Sequence, residues 1–233
     1  MKRYKVPRLC FVNKMDRMGA NPFNGVAALR EKLGHNAVLM QLPIGQEENF
    51  KGVIDLIIRK AYYFDGENGE NIRIEAIPTE LVEKSEELRA KLLDMIAEFD
   101  EEVMEKYLGG EELTEEEIHR AIKKGTNALK LTPVFLGSAF KNKGVQLLLD
   151  GVSRYLPSPL EAANPIAIDN DSNQKIKLEA DPEKDLVMMA FKITDEQFGQ
   201  LTYTRIYQGR LNKGDTITNT RTKKRIRVGR IVR

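Results

Sequence analysis

Hydrophobic positions along the chain follow two rhythms. Arg8-Leu9-Cys10-Phe11-Val12 and Thr132-Pro133-Val134-Phe135-Leu136 are short apolar runs of the kind buried on both faces of a parallel sheet. Each ends in a polar or small-residue knot, and each is followed by helical spacing. Asn21 and Pro22 supply an N-cap and a first helical residue, and Gly34 a stop; Phe23, Val26, Ala27, Leu29 and Leu33 form the predicted buried stripe. After the second run the same strand, loop, helix order returns, with a helix over residues 145–155.

The long middle region has its own pattern. Residues 37–42, 53–58, 61–64 and 71–74 read as strands, with a turn at Asp65-Gly66-Glu67-Asn68-Gly69. Thr79 is expected to cap one long helix bearing Leu81, Leu88, Leu92, Met95, Phe99 and Val103, which runs to Gly109-Gly110. Thr114 and Glu117 have capping-box spacing for a further helix to about residue 126. Pro157, Pro159 and Pro165 with the polar run 169–174 mark a linker. Short β-like segments follow at 186–193, 201–207, 216–220 and 225–232. The predicted fold class is α/β: a parallel sheet with an inserted α+β subdomain, then an incomplete β-barrel. The expected boundaries are 1–157 for the first domain, with the insertion at about 36–131, 158–184 for the linker and 185–233 for the barrel.

Composition narrows the chemistry. Cys10 is the only cysteine and His35 and His119 the only histidines, which excludes an internal disulfide and a zinc cluster of His and Cys. No apolar run reaches about 18 residues, and the basic opening leads only into Pro7, so a chain outside the membrane, in a reducing cytoplasmic compartment, is expected. The net charge of +2 conceals two opposite blocks. Residues 80–117 hold 15 acidic side chains against four basic ones, whereas residues 205–233 hold ten basic ones and a single acid, Asp215.

Asn13-Lys14-Met15-Asp16, directly after the first buried run, carries the sharpest chemical signal. Guanine presents two donors on one edge, the ring N1 hydrogen and the exocyclic amine, and an ionised Asp offers two acceptor oxygens to take both. Adenine has no such pair. Asn13 can donate or accept toward the loop and the opposite edge, and the Lys14 stem can lie along the base face. A turn with a solvated Asp has the same spelling. Ser138-Ala139 follows the second run, where small residues let a backbone N–H approach the guanine O6; by itself it reads equally as a tight turn before a helix. Taken together, two loops after neighbouring strands of a parallel sheet define one base pocket. Asp16 and Ser138 lie 122 positions apart, whereas one crossover needs only about 30 residues, so something large is inserted.

Asn13 to Arg17, Gln41-Leu42-Pro43-Ile44-Gly45, Gly52-Val53-Ile54-Asp55-Leu56, Thr132-Pro133-Val134, Gly137 to Gln146, Tyr155-Leu156-Pro157-Ser158-Pro159 and Ala190-Phe191-Lys192-Ile193 together closely resemble bacterial elongation factor G over nearly the whole chain. The resemblance implies a partial P-loop GTPase sheet, GTP/GDP as ligand, and tRNA–mRNA movement on the ribosome as the activity of the intact factor. It implies that Asn13, Lys14, Asp16, Ser138 and Ala139 bind the base, and that the insertion faces ribosomal stalk proteins. No Gly-Lys-Ser, Gly-Lys-Thr or D-x-P-G-H segment occurs. In the family the phosphate and magnesium loops precede the Asn-Lys-x-Asp loop, so the expectation is an internal piece of the factor. It would have no catalytic residue, no metal ligand and no GTP hydrolysis of its own, with Mg2+ held elsewhere in the intact factor.

Arg221, Lys223, Lys224, Arg225, Arg227, Arg230 and Arg233 alternate loosely with Ile226, Val228, Ile231 and Val232, as a strand with one buried and one basic face would. The resemblance implies that this domain touches ribosomal RNA, making Lys223, Lys224, Arg225 and Arg227 candidate RNA contacts; a solvated barrel exterior has the same pattern. Two alternatives stay open: a related ribosomal GTPase such as a release or ribosome-protection factor, and a non-catalytic ribosome- or RNA-binding module.

Overall fold

A computed structural model describes residues 2–162, 164–170, 172–197 and 199–232. The chain divides into two compact units, Met1–Leu156 and Pro157–Arg233. Arg233, the last of the predicted basic positions, lies outside the described residues.

In the first unit β1 (Cys10–Val12), β7 (Thr132–Leu136) and β2 (Ala37–Leu39) form a parallel sheet in the order β1-β7-β2. Cys10, Phe11 and Val12 register with Val134, Phe135 and Leu136, so the two predicted apolar runs are direct neighbours. Helix α1 (Pro22–Leu33) starts where Asn21 Oδ1 accepts from Phe23 N at 2.9 Å and ends at Gly34 with φ 59°. Its buried stripe is narrower than predicted: Val26 is buried, Leu29 half-buried, and Phe23, Ala27 and Leu33 are exposed. Phe23 instead lies beneath the Lys84 ammonium, 5.9 Å from the ring centroid.

The predicted strand over 37–42 is two strands. Met40 N donates to Val134 O and Met40 O accepts from Leu56 N. The chain thereby leaves the parallel sheet and enters an antiparallel one: β3 (Gln41–Ile44), β4 (Gly52–Asp55), β5 (Lys60–Asp65) and β6 (Asn71–Glu75), in sequence order. Pro43 sits on β3, an edge strand, where a missing N–H costs least.

The predicted single helix is also interrupted. Helix α2 (Thr79–Ala97) stops, and Asp100 restarts the chain as N-cap of α3 (Glu101–Leu108), its Oδ1 accepting from Val103 N at 3.3 Å. Thr79 is the first helical residue rather than the cap, which is Pro78. Helix α4 (Glu115–Asn127) opens with the complete Thr114–Glu117 capping box, and α5 (Val145–Tyr155) follows β7. One core cluster joins Val38, Leu42, Ile54 and Phe135 to Leu92, Ile96, Ile118 and Ile122; a second joins Val26, Ala37, Leu39, Val134 and Leu136 to Phe50, Val53 and Phe64. Both faces of β2 and β7 are thus covered, which is why their sequences are continuously apolar.

The second unit contains antiparallel pairs among its described residues: β8 (Ile166–Ile168) with β9 (Lys175–Lys177), β10 (Val187–Glu196) with β11 (Gly199–Gln208), and β12 (Thr216–Thr218) with β13 (Arg225–Arg227). No closed barrel is formed among these residues, and the segment expected to be a linker folds into the β8–β9 hairpin.

Candidate functional site

The site is built where β1 and β7 end side by side. Gly137 N donates to Val12 O at 3.1 Å, and Met15 N donates to Gly137 O at 3.0 Å, continuing the pairing beyond the strands and knitting the two loops together. Gly137 is required by space: a Cβ there would lie 2.2 Å from Lys143 O and 2.6 Å from the Phe11 ring.

Asn13 Oδ1 accepts from Lys14 N at 2.7 Å and from Ala139 N at 2.9 Å, so one side chain spans both loops. Lys14, exposed, adopts φ 63°, a left-handed conformation that turns the chain sharply so that Arg17 N can reach Lys14 O at 3.0 Å. Met15 is fully buried in the second core cluster with Phe50, Val53 and Phe64. Its side chain carries no ligand chemistry, yet it anchors the loop; an apolar residue between Lys and Asp is the signal that marks it.

Asp16 is buried, and its carboxylate is held below the usual range chiefly by a hydrogen bond from the Ser138 hydroxyl. Burial opposes this, while the loop backbone, Lys141 and Arg17 assist. Lys141 Nζ is 3.8 Å and Arg17 Nε 3.9 Å from Asp16 Oδ2. The group therefore stays ionised, and a carboxylate with about four lone-pair sites retains acceptor capacity beyond the one Ser138 uses. Ser138 itself is 1% exposed, its N–H and carbonyl paired with Lys143 across the loop at 2.9 and 3.0 Å.

The structure thus brings Asn13 against Ala139 and Asp16 against Ser138, with Lys14 on the rim. The other predicted cluster belongs to the second unit. Arg225 and Arg227 pair with Thr218 and Thr216 on β12–β13, Lys223 occupies a left-handed turn position at φ 57°, and Lys224 and both arginines are exposed. The predicted buried face is not realised there: β13 ends at Arg227, and Ile226 is 49% exposed. No group of three or more His, Cys, Asp or Glu side chains able to hold a metal ion occurs among the described residues.

Comparison with known proteins bears on this arrangement. Residues 1–158 match the family described as the elongation factor Tu GTP-binding domain. The whole chain is 53% identical to elongation factor G 1 of Borreliella afzelii and 50% identical to elongation factor G of Rhodopirellula baltica. It spans 34% and 33% of their lengths. A crystal structure of a protein from Thermus thermophilus superposes with a TM-score of 0.76 at 29% identity, covering 97% of this chain and 31% of that one. With two thirds of its length matched by that domain and all of it aligned to proteins named elongation factor G, the chain belongs to the elongation factor Tu GTP-binding domain family.

Proposed function

We propose that the two knitted loops read the guanine of GTP and GDP in a ribosomal translocase GTPase, an elongation factor G. The observation that carries the reading is the placement of the buried Asp16 carboxylate and the buried Ser138 together at the mouth formed by two parallel strands, with the carboxyl held below its usual range. Its two oxygens suit the N1 hydrogen and the exocyclic amine. The Lys14 stem lies along the base face, and the guanine O6 competes with Asn13 Oδ1 for the Ala139 N–H. None of these residues is a chemical catalyst; they select the base. The residues present fit the base and offer no phosphate cradle of the Gly-Lys-Ser/Thr kind. Mg2+ belongs to the proposed intact factor, and no group of three or more His, Cys, Asp or Glu side chains that could hold it is gathered among the described residues.

The proposed partners follow from the same identity: ribosomal RNA, the stalk proteins and, indirectly, the tRNA–mRNA complex, in the cytoplasm. Lys223, Lys224, Arg225 and Arg227 are the proposed RNA contacts, and such contacts should weaken steeply with salt. For the base site, Asp16→Asn in a full-length protein carrying these residues should lower affinity for GDP and raise it for the xanthine nucleotide, whose carbonyl replaces the amine donor. Titration with both nucleotides decides it. An unaltered guanine preference in that variant removes Asp16 from base recognition.

A further inference from the structure

The loop from Gly137 to Gly144 joins β7 to α5; besides its own bonds and those to Val12, Asn13 and Met15, it and its two flanks are tied to the inserted antiparallel sheet. Lys143 Nζ donates to Phe50 O at 3.1 Å, next to the start of β4. Gln146 Nε2 donates to Gly69 O at 3.3 Å, at the β5–β6 turn. Gln41 Oε1, on β3, accepts from Leu136 N at 3.0 Å, one residue before Gly137. Gly69, at φ 59°, lies so close to the loop that a Cβ there would stand 2.7 Å from Lys141 O and 2.8 Å from Asn142 O. These ties reach across 77 to 95 residues of sequence.

The amides at positions 41 and 146 are informative because each makes only one of these bonds. Gln41 Nε2 and Gln146 Oε1 are buried without a hydrogen-bond partner among the described residues. A leucine or methionine would avoid that desolvation penalty, so the single bond across to the other element is what the amide contributes. The first loop has a matching support: Gly19 N donates to Glu47 Oε1 at 2.7 Å, and Met15 shares its core with Phe50, Val53 and Phe64 of the inserted sheet.

We propose that Lys143, Gln146 and Gly69 are positioning residues, through which the inserted sheet sets where Ser138 and Ala139 stand relative to Asp16 and Asn13. For its consequence on nucleotide binding this rests on the guanine reading; the positioning itself does not. Free loops after strands are ordinarily adaptable. Here the backbone of the β5–β6 turn and the Phe50 carbonyl close the loop from outside, and displacement of the inserted sheet displaces the base loop with it.

The test uses the 233-residue chain in two forms, the double variant Lys143→Met with Gln146→Leu and, separately, Gly69→Ala. Amide exchange at Ser138, Ala139 and Lys143 should rise by about tenfold or more, as expected when a local structure opens ahead of global unfolding. The Asp16 carboxyl, followed by NMR titration, should move up toward the ordinary carboxylate range as the Ser138 hydroxyl leaves it. Amides of Ile118 and Ile122 in α4 should keep their protection, and Lys143→Arg, which can still donate to Phe50 O, should behave as the parent. Unchanged loop exchange and unchanged Asp16 titration in both variants overturn the proposal. The same substitutions in a full-length factor separate the two ideas: a loosened loop with undiminished guanine affinity retires the guanine reading and leaves the positioning role standing.

Discussion

Asn13 carries a load across the two loops that can be measured without any nucleotide. Its Oδ1 holds Lys14 N at 2.7 Å and Ala139 N at 2.9 Å, and the side chain is exposed. Each bond competes with water, so each contributes about 0.5–1 kcal/mol net, and Asn13→Ala removes both, for about 1–2 kcal/mol of local stability. At about 1.4 kcal/mol per factor of ten, this corresponds to roughly 5- to 30-fold faster exchange of the Ala139 amide. Met15 N to Gly137 O and Gly137 N to Val12 O stay intact in that variant, so the strand ends remain paired and the change stays local. Asn13→Asp keeps the acceptor oxygen and should preserve Ala139 protection, which separates the loss of the bridge from the loss of an amide. Hydrogen exchange by NMR reads both variants. Parental exchange at Ala139 in Asn13→Ala would show that the bridge does not hold the loops, and fast exchange in Asn13→Asp would show that the oxygen is not what matters.

Met15→Ala, which empties a fully buried site, should lower the unfolding free energy by about 2–4 kcal/mol in urea titration; a loss under about 1 kcal/mol would mean that Met15 is not an anchor. Asp100→Ala removes the α3 cap and leaves Arg120 and Lys124 without the carboxylate they contact at 2.9 and 2.5 Å. Both cations are partly exposed, so about 2–3 kcal/mol is expected rather than the full value of a buried pair. Burial would raise the Asp100 pKa, but Arg120, Lys124 and the Val103 N–H outweigh it and hold it well below the usual value of 3.8. Its contribution is therefore complete above pH 4 and lost in stronger acid, and Asp100→Asn should flatten the stability profile there. His119 behaves in a separate window. Burial, with Arg154 nearby, pushes it down to about 4 from 6.5, so the unfolded chain takes up a proton that the folded one refuses as pH falls from 6.5 toward 4. Stability should decline across that interval by no more than about 2 kcal/mol after solvent screening, and His119→Asn should remove the decline; an unchanged slope would place the acid sensitivity elsewhere.

Positions that obey one local rule were readable from sequence. Asn21-Pro22 and Gly34 bound α1, Thr114 and Glu117 form both halves of the capping box, and the two continuous apolar runs are paired parallel strands, of which β7 is buried throughout as expected while β1 is only half-buried. Positions whose conformation depends on distant partners were not. Residues 37–42 are apolar except for Gln41, and no turn residue marks Met40 as the place where the chain changes sheets; Val134 O and Leu56 N decide that. Asp100 stands in an acidic run; its cap to Val103 N is local, but the ion pairs with Arg120 and Lys124 that hold its carboxylate come from α4, far along the chain. The stripe of α1 was overdrawn because periodicity reports amphipathicity, not the width of the surface a neighbour can cover.

The same distinction separates the parts of the site. Asn13, Asp16, Ser138 and Ala139 stand out in the sequence because their chemistry suits the proposed guanine edge, and they lie in the loops that follow two strands that the sheet makes neighbours. Met15, Gln41, Lys143 and Gln146 announce nothing, since a methionine, two glutamines and a lysine have no chemical signature until their contacts are drawn. What those contacts share is direction: each runs from the loops or the strands behind them to the inserted antiparallel sheet, which follows β2 without an intervening linker. An insertion attached only through its two chain ends would move as a separate body. This one contributes Phe50, Val53 and Phe64 to the core cluster that holds Met15, the Phe50 carbonyl to Lys143 in the loop holding Ser138, and the Gly69 carbonyl to Gln146 at the start of α5. Under the proposed positioning role, the loops of Asn13–Asp16 and Ser138–Ala139 and the insertion form one mechanical unit, in which a displacement of the inserted sheet reaches Ser138 and Asp16 through these side-chain and packing contacts.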